Sequence, residues 1–283
     1  MIPPEKKEYI LTKAYVPEHI VSLMSLISKG EPLLIEDYLY FVKDNWLIFI
    51  GYPLEQAFTK KNLETALNDI IKKYKPEYTW FIAPEIPDSF SMTCQKRESD
   101  NYYKLDLHEL KIKSNLMLAV KKAFKNMDVE MANEVLKEHD ELISEFIELE
   151  NPSPMIRQLF LSIPDYVCHS SSAVVLNARS KEGKLTAFYV IDLAAKEFAA
   201  YLVGCYSRKN YIPHASDMLF HEMINLAKKH GKDYINLGLG VNEGIKKFKG
   251  KWGGVPFLKY EFCEYRRKPA SMIELIRLLK PTL

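Results

Sequence analysis

The chain has 283 residues, 47% hydrophobic and 27% charged, with 39 Lys and Arg against 37 Asp and Glu for a formal net charge of +2. That is the composition of a folded protein, not a disordered one, and the near-balance of charge argues against a dedicated nucleic-acid coat while leaving room for a local basic patch. With no apolar run of about 18 residues, no apolar core near Met1–Lys7 and four scattered cysteines (Cys94, Cys168, Cys205, Cys263) lacking CxxC spacing, the reading is a reduced, cytoplasmic protein without disulfide framework, zinc knuckle or membrane span.

In chain order, a first helix is expected near Pro17–Ser28, ended by Gly30. Strands follow at Tyr38–Val42 and Trp46–Gly51, with Lys43-Asp44-Asn45 turning between them. Thr59 can cap a helix running to Tyr74, whose Leu63, Ala66, Leu67, Ile70 and Ile71 keep helical spacing. Three strands are then expected at Tyr78–Ala83, Ser91–Arg97 and Tyr102–Leu107. A basic amphipathic helix, Ser114–Lys125, a short strand, Val129–Ala132, and an acidic helix, Glu138–Glu150, come next, with another helix after Pro152 and Pro154.

Three apolar strands, Ala173–Ala178, Leu185–Leu193 and Phe198–Tyr206, are joined by tight links that imply antiparallel hairpins. A helix over Ser216–His230 stops at Gly231 and leads to a strand, Tyr234–Leu239. A glycine-rich turn, a short basic helix, a strand at Pro256–Tyr265 and a helix at Ser271–Lys280 complete the order. An antiparallel meander followed by a helix and one parallel crossover is an α+β pattern. The first half repeats it weakly, which suggests two related domains, 1–110 and 111–283.

Some chemistry-bearing motifs fail on spacing. His221-Glu222-Met223-Ile224-Asn225 begins like HExxH, but Asn225 stands where a second zinc-binding histidine belongs. Cys168-His169 is read as an extended doublet whose side chains point to opposite faces, which is no nucleophile pair. Gly238-Leu239-Gly240-Val241-Asn242-Glu243-Gly244 follows a strand and opens a helix, but it reads GxGxxxG instead of GxGxxG. A nicotinamide-dependent oxidoreductase survives only if that turn binds NAD. The richest segment is Lys246-Lys247-Phe248-Lys249-Gly250-Lys251-Trp252, four lysines in six residues interleaved with Phe248 and followed by Trp252. Such lysines attract phosphate or carboxylate, while Phe248 and Trp252, at i and i+4, also fit core anchors.

The passage from Ala199 to Gly254 resembles the GNAT acyltransferase fold. Its ending, Gly244-Ile245-Lys246-Lys247-Phe248-Lys249-Gly250-Lys251-Trp252-Gly253-Gly254, is similar to the Fem-type aminoacyltransferase branch, whose members carry two GNAT-like domains in tandem. The resemblance covers about residues 100–265, with residues 1–100 a degraded echo. It implies an α+β chain with mixed central sheets flanked by helices, and acyl transfer in which an amine attacks an activated ester or thioester. The Lys of the family's Phe-Lys pair carries over onto Lys249, as stabiliser of the anionic intermediate.

Tyr206 is a second catalytic candidate, and Phe248, Asn242, Trp252, Arg208 and Tyr211 are candidates for holding donor or substrate. The resemblance implies no tightly bound cofactor, an acyl-CoA or aminoacyl-tRNA donor, and a small-molecule or peptide amine acceptor. A CoA-dependent N-acetyltransferase would carry a Gly-rich loop before the helix at 216. Here that stretch, Ser207–Asp217, has no glycine, and Pro213 lacks an N–H. The remaining alternative is a degenerate scaffold of this fold that binds a ligand or partner without chemistry.

Overall fold

The computed structural model describes residues 2–267. The chain begins with α1 (Pro4–Lys13), a single 3-10 turn (Pro17–His19) and α2 (Val21–Ser28). Next come β1 (Glu31–Ile35), β2 (Tyr38–Lys43), β3 (Trp46–Ile50), α3 (Lys60–Tyr74), β4 (Tyr78–Ala83), the short α4 (Asp88–Ser91) and β5 (Cys94–Asp106). The middle of the chain forms α5 (Ser114–Asn126), β6 (Met127–Ala132), α6 (Lys137–Glu150) and α7 (Pro154–His169). It then runs through β7 (Ala173–Ser180), β8 (Leu185–Asp192), β9 (Phe198–Tyr206), α8 (Ala215–Lys229), β10 (Tyr234–Leu239), α9 (Glu243–Lys251) and β11 (Val255–Arg266). The helix expected at Ser271–Lys280 lies outside the described residues.

Two compact units divide the described residues: 2–30 with Asp100–Lys259, and Glu31–Ser99 with 260–267. Each is a mixed sheet built on one plan. In the smaller unit β1, β2 and β3 are antiparallel, α3 crosses over, β4 lies parallel to β3, and the end of β11 pairs antiparallel with β4. In the larger unit β6, β7, β8 and β9 are antiparallel, α8 crosses over, β10 lies parallel to β9, and the end of β5 pairs antiparallel with β10. The strand after each crossover therefore leaves its own unit: β5 follows β4 but ends on β10, and β11 follows β10 but ends on β4. These units differ from the expected division at 110/111, because residues 2–30 and 100–110 group with the later segment and residues 260–267 with the earlier one.

The larger sheet is covered on both faces. Leu176, Tyr189, Ile191, Ile235 and Leu105 pack with α8, while Val175, Phe188, Val190 and Phe198 pack with α2 and α7 on the other side. Every residue of β8 is buried, as befits a central strand. In the smaller unit Leu63, Ala66, Leu67 and Ile70 put one face of α3 against Leu47, Phe49 and Phe81. Thr59 caps that helix as expected, its Oγ1 accepting from the Asn62 N–H at 3.2 Å.

Several expectations are corrected. The helix read over Pro17–Ser28 is broken at Ile20, and Lys29, not Gly30, takes the left-handed cap at φ 54. α1 was invisible because only Ile10 of its polar sequence is buried, and β1 was masked by Pro32, which an outermost strand tolerates. The strands expected at Ser91–Arg97 and Tyr102–Leu107 are one strand, β5. Its polar middle reads as a turn, but Arg97 and Ser99 are held by the buried Glu261 carboxylate at 3.0 and 2.9 Å. Cys168 and His169 end a helix instead of lying in an extended segment.

The expectation of reduced thiols is also overturned. Cys94 of β5 and Cys263 of β11 are joined by a disulfide 169 residues apart in sequence, which spacing alone could not reveal. Closing so long a loop restricts the unfolded chain, so Cys263→Ser should lower unfolding free energy by roughly 2–5 kcal/mol. Dithiothreitol should lower the Tm of the native chain and leave that of Cys263→Ser unmoved; equal melting of the native chain with and without reductant would contradict the role.

Candidate functional site

β9 and β10 pair for three residues only, Phe198–Ala200 with Tyr234–Asn236. Beyond them β9 continues along β8 to Tyr206, while β10 bulges against β5 between Asn236 and Leu239. Gly238 makes the bulge: it takes φ +70, and its N–H donates to the Asn236 side chain at 2.9 Å. A Cβ there would be in ordinary van der Waals contact with the Tyr201 carbonyl of β9 at 3.8 Å, so the two strands run on side by side without ladder pairing. Pairing lost in this way leaves backbone N–H and C=O groups of both strands facing a gap.

The turn after β10 is tightly built. Gly240 donates to the Asn101 carbonyl, and a Cβ on it would lie 2.7 Å from Asp100 Oδ1 and 3.1 Å from the Tyr103 ring. Val241 sits at φ 60, a rare conformation for a β-branched residue, and is pinned there by its N–H donating to Asp100 Oδ2 at 2.7 Å. Asn242 caps α9 through its Oδ1, which accepts from the Ile245 N–H at 2.9 Å. Asp100, Gly240 and Asn242 together set the angle at which α9 leaves the sheet.

That angle aims Lys249 inward. The residue is 4% exposed, its Nζ donates to the Leu239 carbonyl at 2.5 Å, and it stands 5.5 Å from the centre of the Tyr103 ring. Burial pushes its ammonium down to about 8, with the Asp100 charge acting in the opposite direction. It is a buried cation at the end of β10, beside the gap.

The remaining expected residues separate into two groups. Asn242, Phe248, Lys249 and Trp252 share α9 and its ends, but only Lys249 turns toward Leu239. Trp252 is core: it stacks on Phe220 at 5.0 Å, and its Nε1 donates to Asp217 at 3.1 Å. Phe248 packs edge-on against the same Phe220, with the Lys251 ammonium over its ring. Tyr206 and Tyr211 form an exposed pair, ring centres 6.5 Å apart, on the β9–α8 connection. Arg208 there is engaged by Glu145 and Glu150. Tyr211 also lines a groove of about 480 Å³ with Lys181, Lys184, Lys209 and Asn210, a separate surface from that of Lys249.

Asp217, in the first turn of α8, is buried and collects Trp252, Lys251 at 2.6 Å and His214 at 3.2 Å. His221 bonds only to its helix neighbours Glu222 and Asn225, and no cluster of three metal-ligating side chains exists among the described residues. Sequence reasoning missed Asp100, Tyr103 and Leu239, because their roles depend on register; the GxG spacing at Gly238 and Gly240 was the one available signal.

No protein-family model matches the chain, and no curated protein is similar to it in sequence. Solved structures are similar to it over nearly its whole length. FemX is 13% identical, with a TM-score of 0.64 covering 99% of this chain and 98% of that one. L-PGS from Bacillus licheniformis is 16% identical, with a TM-score of 0.57 over 99% and 98%. A tandem GNAT protein from the clavulanic acid biosynthesis pathway is 10% identical, with a TM-score of 0.54 over 95% and 97%. The fold is therefore α+β with two GNAT-like domains in tandem, the fold of these similar structures. Among the described residues no helix is long and apolar enough to cross a membrane.

A lysine held near pKa 8 when folded and 10.5 when unfolded leaves the unfolded chain binding more protons between those values, so stability rises with pH there. The stability of the native chain relative to Lys249→Met should therefore improve by about 2 kcal/mol from pH 7 to pH 10. Urea titrations at both pH values would show it; a pH-independent difference would mean that the ammonium is solvated. At the strained turn, Val241→Gly should stabilise the fold by about 1 kcal/mol, the left-handed penalty exceeding the added chain entropy.

Proposed function

We propose that this chain moves an acyl or aminoacyl group from an activated ester or thioester to an amine, with the Lys249 ammonium stabilising the oxyanion of the tetrahedral intermediate. The observation that carries the reading is the buried Lys249 beside the gap between β9 and β10. Solvent-exposed lysines need no such support, whereas this cation is desolvated and held by a backbone carbonyl, so a developing negative charge nearby is attracted strongly. A lysine so placed acts as a positive charge toward oxygen, and near neutral pH it keeps its proton.

Aminoacyl-tRNA is favoured over acyl-CoA as donor. A diphosphate would seat on the N-terminal turn of α8, but the buried Asp217 carboxylate occupies that turn, Pro213 removes a donor and His214 takes φ 69. The tandem GNAT and Fem-like fold of the similar structures supports group transfer, and the acceptor fits a small-molecule or peptide amine. Nothing tightly bound is required: the donor brings its own activated bond.

Lys249→Met should lower turnover roughly 10²–10³-fold while the protein stays folded, the loss expected for one oxyanion contact. The assay would offer charged tRNA and acetyl-CoA in turn, with a primary amine as acceptor. In the native chain the rate should fall as pH rises through about 8, where Lys249 loses its charge. A folded Lys249→Met with unchanged turnover would remove the residue from the chemistry, and no turnover or stabilisation with either donor would favour a non-catalytic binding scaffold.

A further inference from the structure

The segment Tyr15–His19 lies against the part of β10 that β9 leaves. Asn236, the last residue paired with β9, donates from its side chain to the Tyr15 carbonyl at 3.3 Å. Three residues further along β10, Leu239 is opposite Tyr102 of β5, and the Tyr102 hydroxyl donates to Glu18 Oε2 at 2.8 Å. Leu239 is also the residue whose carbonyl holds Lys249. One strand pair, Tyr102 and Leu239, thus carries a carboxylate and an ammonium.

The two charges approach from opposite faces. Successive residues of a strand alternate, so Tyr102 and Tyr103 point to different sides. Tyr103 packs with Leu105, Phe248 and Trp252 on the α8 side, where its ring meets Lys249. Ala14 and Ile20, flanking Glu18, belong to the core on the α2 side. Lys249 on one face and Glu18 on the other thus converge on the Tyr102–Leu239 pair, three residues beyond the point where β9 and β10 stop pairing.

We infer that Glu18 binds the ammonium of a primary-amine acceptor and takes its proton for the attack. This rests on the acyl-transfer reading given above and assigns the proton acceptor that Lys249, as a cation, cannot supply. The ammonium loses one N–H proton to Glu18, and the freed lone pair forms the C–N bond at the donor carbonyl. The carbonyl oxygen carries the negative charge beside Lys249. Collapse restores C=O and breaks the acyl–oxygen or acyl–sulfur bond, the leaving group taking the second nitrogen proton, and Glu18 releases its proton to water. Burial raises the Glu18 carboxyl to about 7, with the Tyr102 hydrogen bond acting to lower it, so it is ionised in the range where an alkyl ammonium still keeps its proton. The Tyr102 hydroxyl from β5 bonds to it, and Tyr15 and His19 are the titratable residues of its own segment.

The test uses binding as well as turnover. n-Butylammonium is titrated into the isotope-labelled full chain and followed by NMR, for the native protein, Glu18→Gln, Tyr102→Phe and Lys249→Met. Glu18→Gln keeps an acceptor for the Tyr102 hydroxyl and its fold is checked in the same spectra. The half-saturating concentration should rise about ten- to a hundredfold in Glu18→Gln, the loss of one charge-assisted hydrogen bond, and should not rise in Lys249→Met, which removes a like charge. Native binding should be about tenfold weaker at pH 6 than at pH 8, and in Tyr102→Phe the midpoint should move upward, because the Tyr102 hydrogen bond that lowers the Glu18 carboxyl is gone. Equal binding in Glu18→Gln, or no saturable binding in the native chain, would overturn the inference. Glu18-dependent binding without any Lys249-dependent transfer would instead leave the ammonium site standing and defeat the acyl-transfer reading.

Discussion

A lysine ammonium removed from water and given to a single backbone carbonyl is the constraint on which the rest of this site depends. Desolvation opposes the charged form by an amount comparable with a large share of the stability of a domain. The surroundings offset it only in part: one carbonyl from Leu239, the face of Tyr103 and the more distant charge of Asp100. A side chain used merely to fill space would be an apolar residue, which would pack there without the penalty. On the acyl-transfer reading proposed above, a negative charge formed during the reaction completes the solvation of the cation.

Holding that lysine requires backbone that is itself out of the ordinary. Gly238 supplies a left-handed bulge, Gly240 permits close contact with Asp100 and Tyr103, and Val241 is forced into a conformation it disfavours. Asp100 is common to the last two, since its oxygens fix the N–H groups of Asn101 and Val241 and press close to Gly240. The strain is thus concentrated in the few residues between β10 and α9, next to the one buried cation of that helix. The rest of the larger sheet is regular and packed on both faces, so it can hold this turn in place.

Much of the architecture was legible because it rests on local rules. The Thr59 cap, the period of Leu63–Ile70, the hairpins of β7 to β9 and the stop at Gly231 each follow from chemistry within a few residues. Lys249 was singled out through a resemblance confined to one string, and the structure buries it. What could not be read depends on register. The disulfide, the continuity of β5 and the meeting of Tyr102 with both Glu18 and Leu239 all join positions more than 80 residues apart or hidden in polar stretches. Trp252 shows the converse: a residue attractive as a ligand contact is committed to Phe220 and Asp217 in the core.

The crossing of β5 and β11 between units bears on how such a chain can have been assembled and how it can be cut. A duplicated module normally remains separable, since each copy retains all its own hydrogen-bonding edges. Here a break at 110/111 would strip β10 of its antiparallel neighbour and β4 of its own, leaving two exposed ladders of unsatisfied amides. Each half would then be an aggregation hazard and not a miniature of the whole, and the carbonyl that steadies Lys249 would lie on one of those raw edges. Interdependence of this kind makes the folding of either half depend on the other.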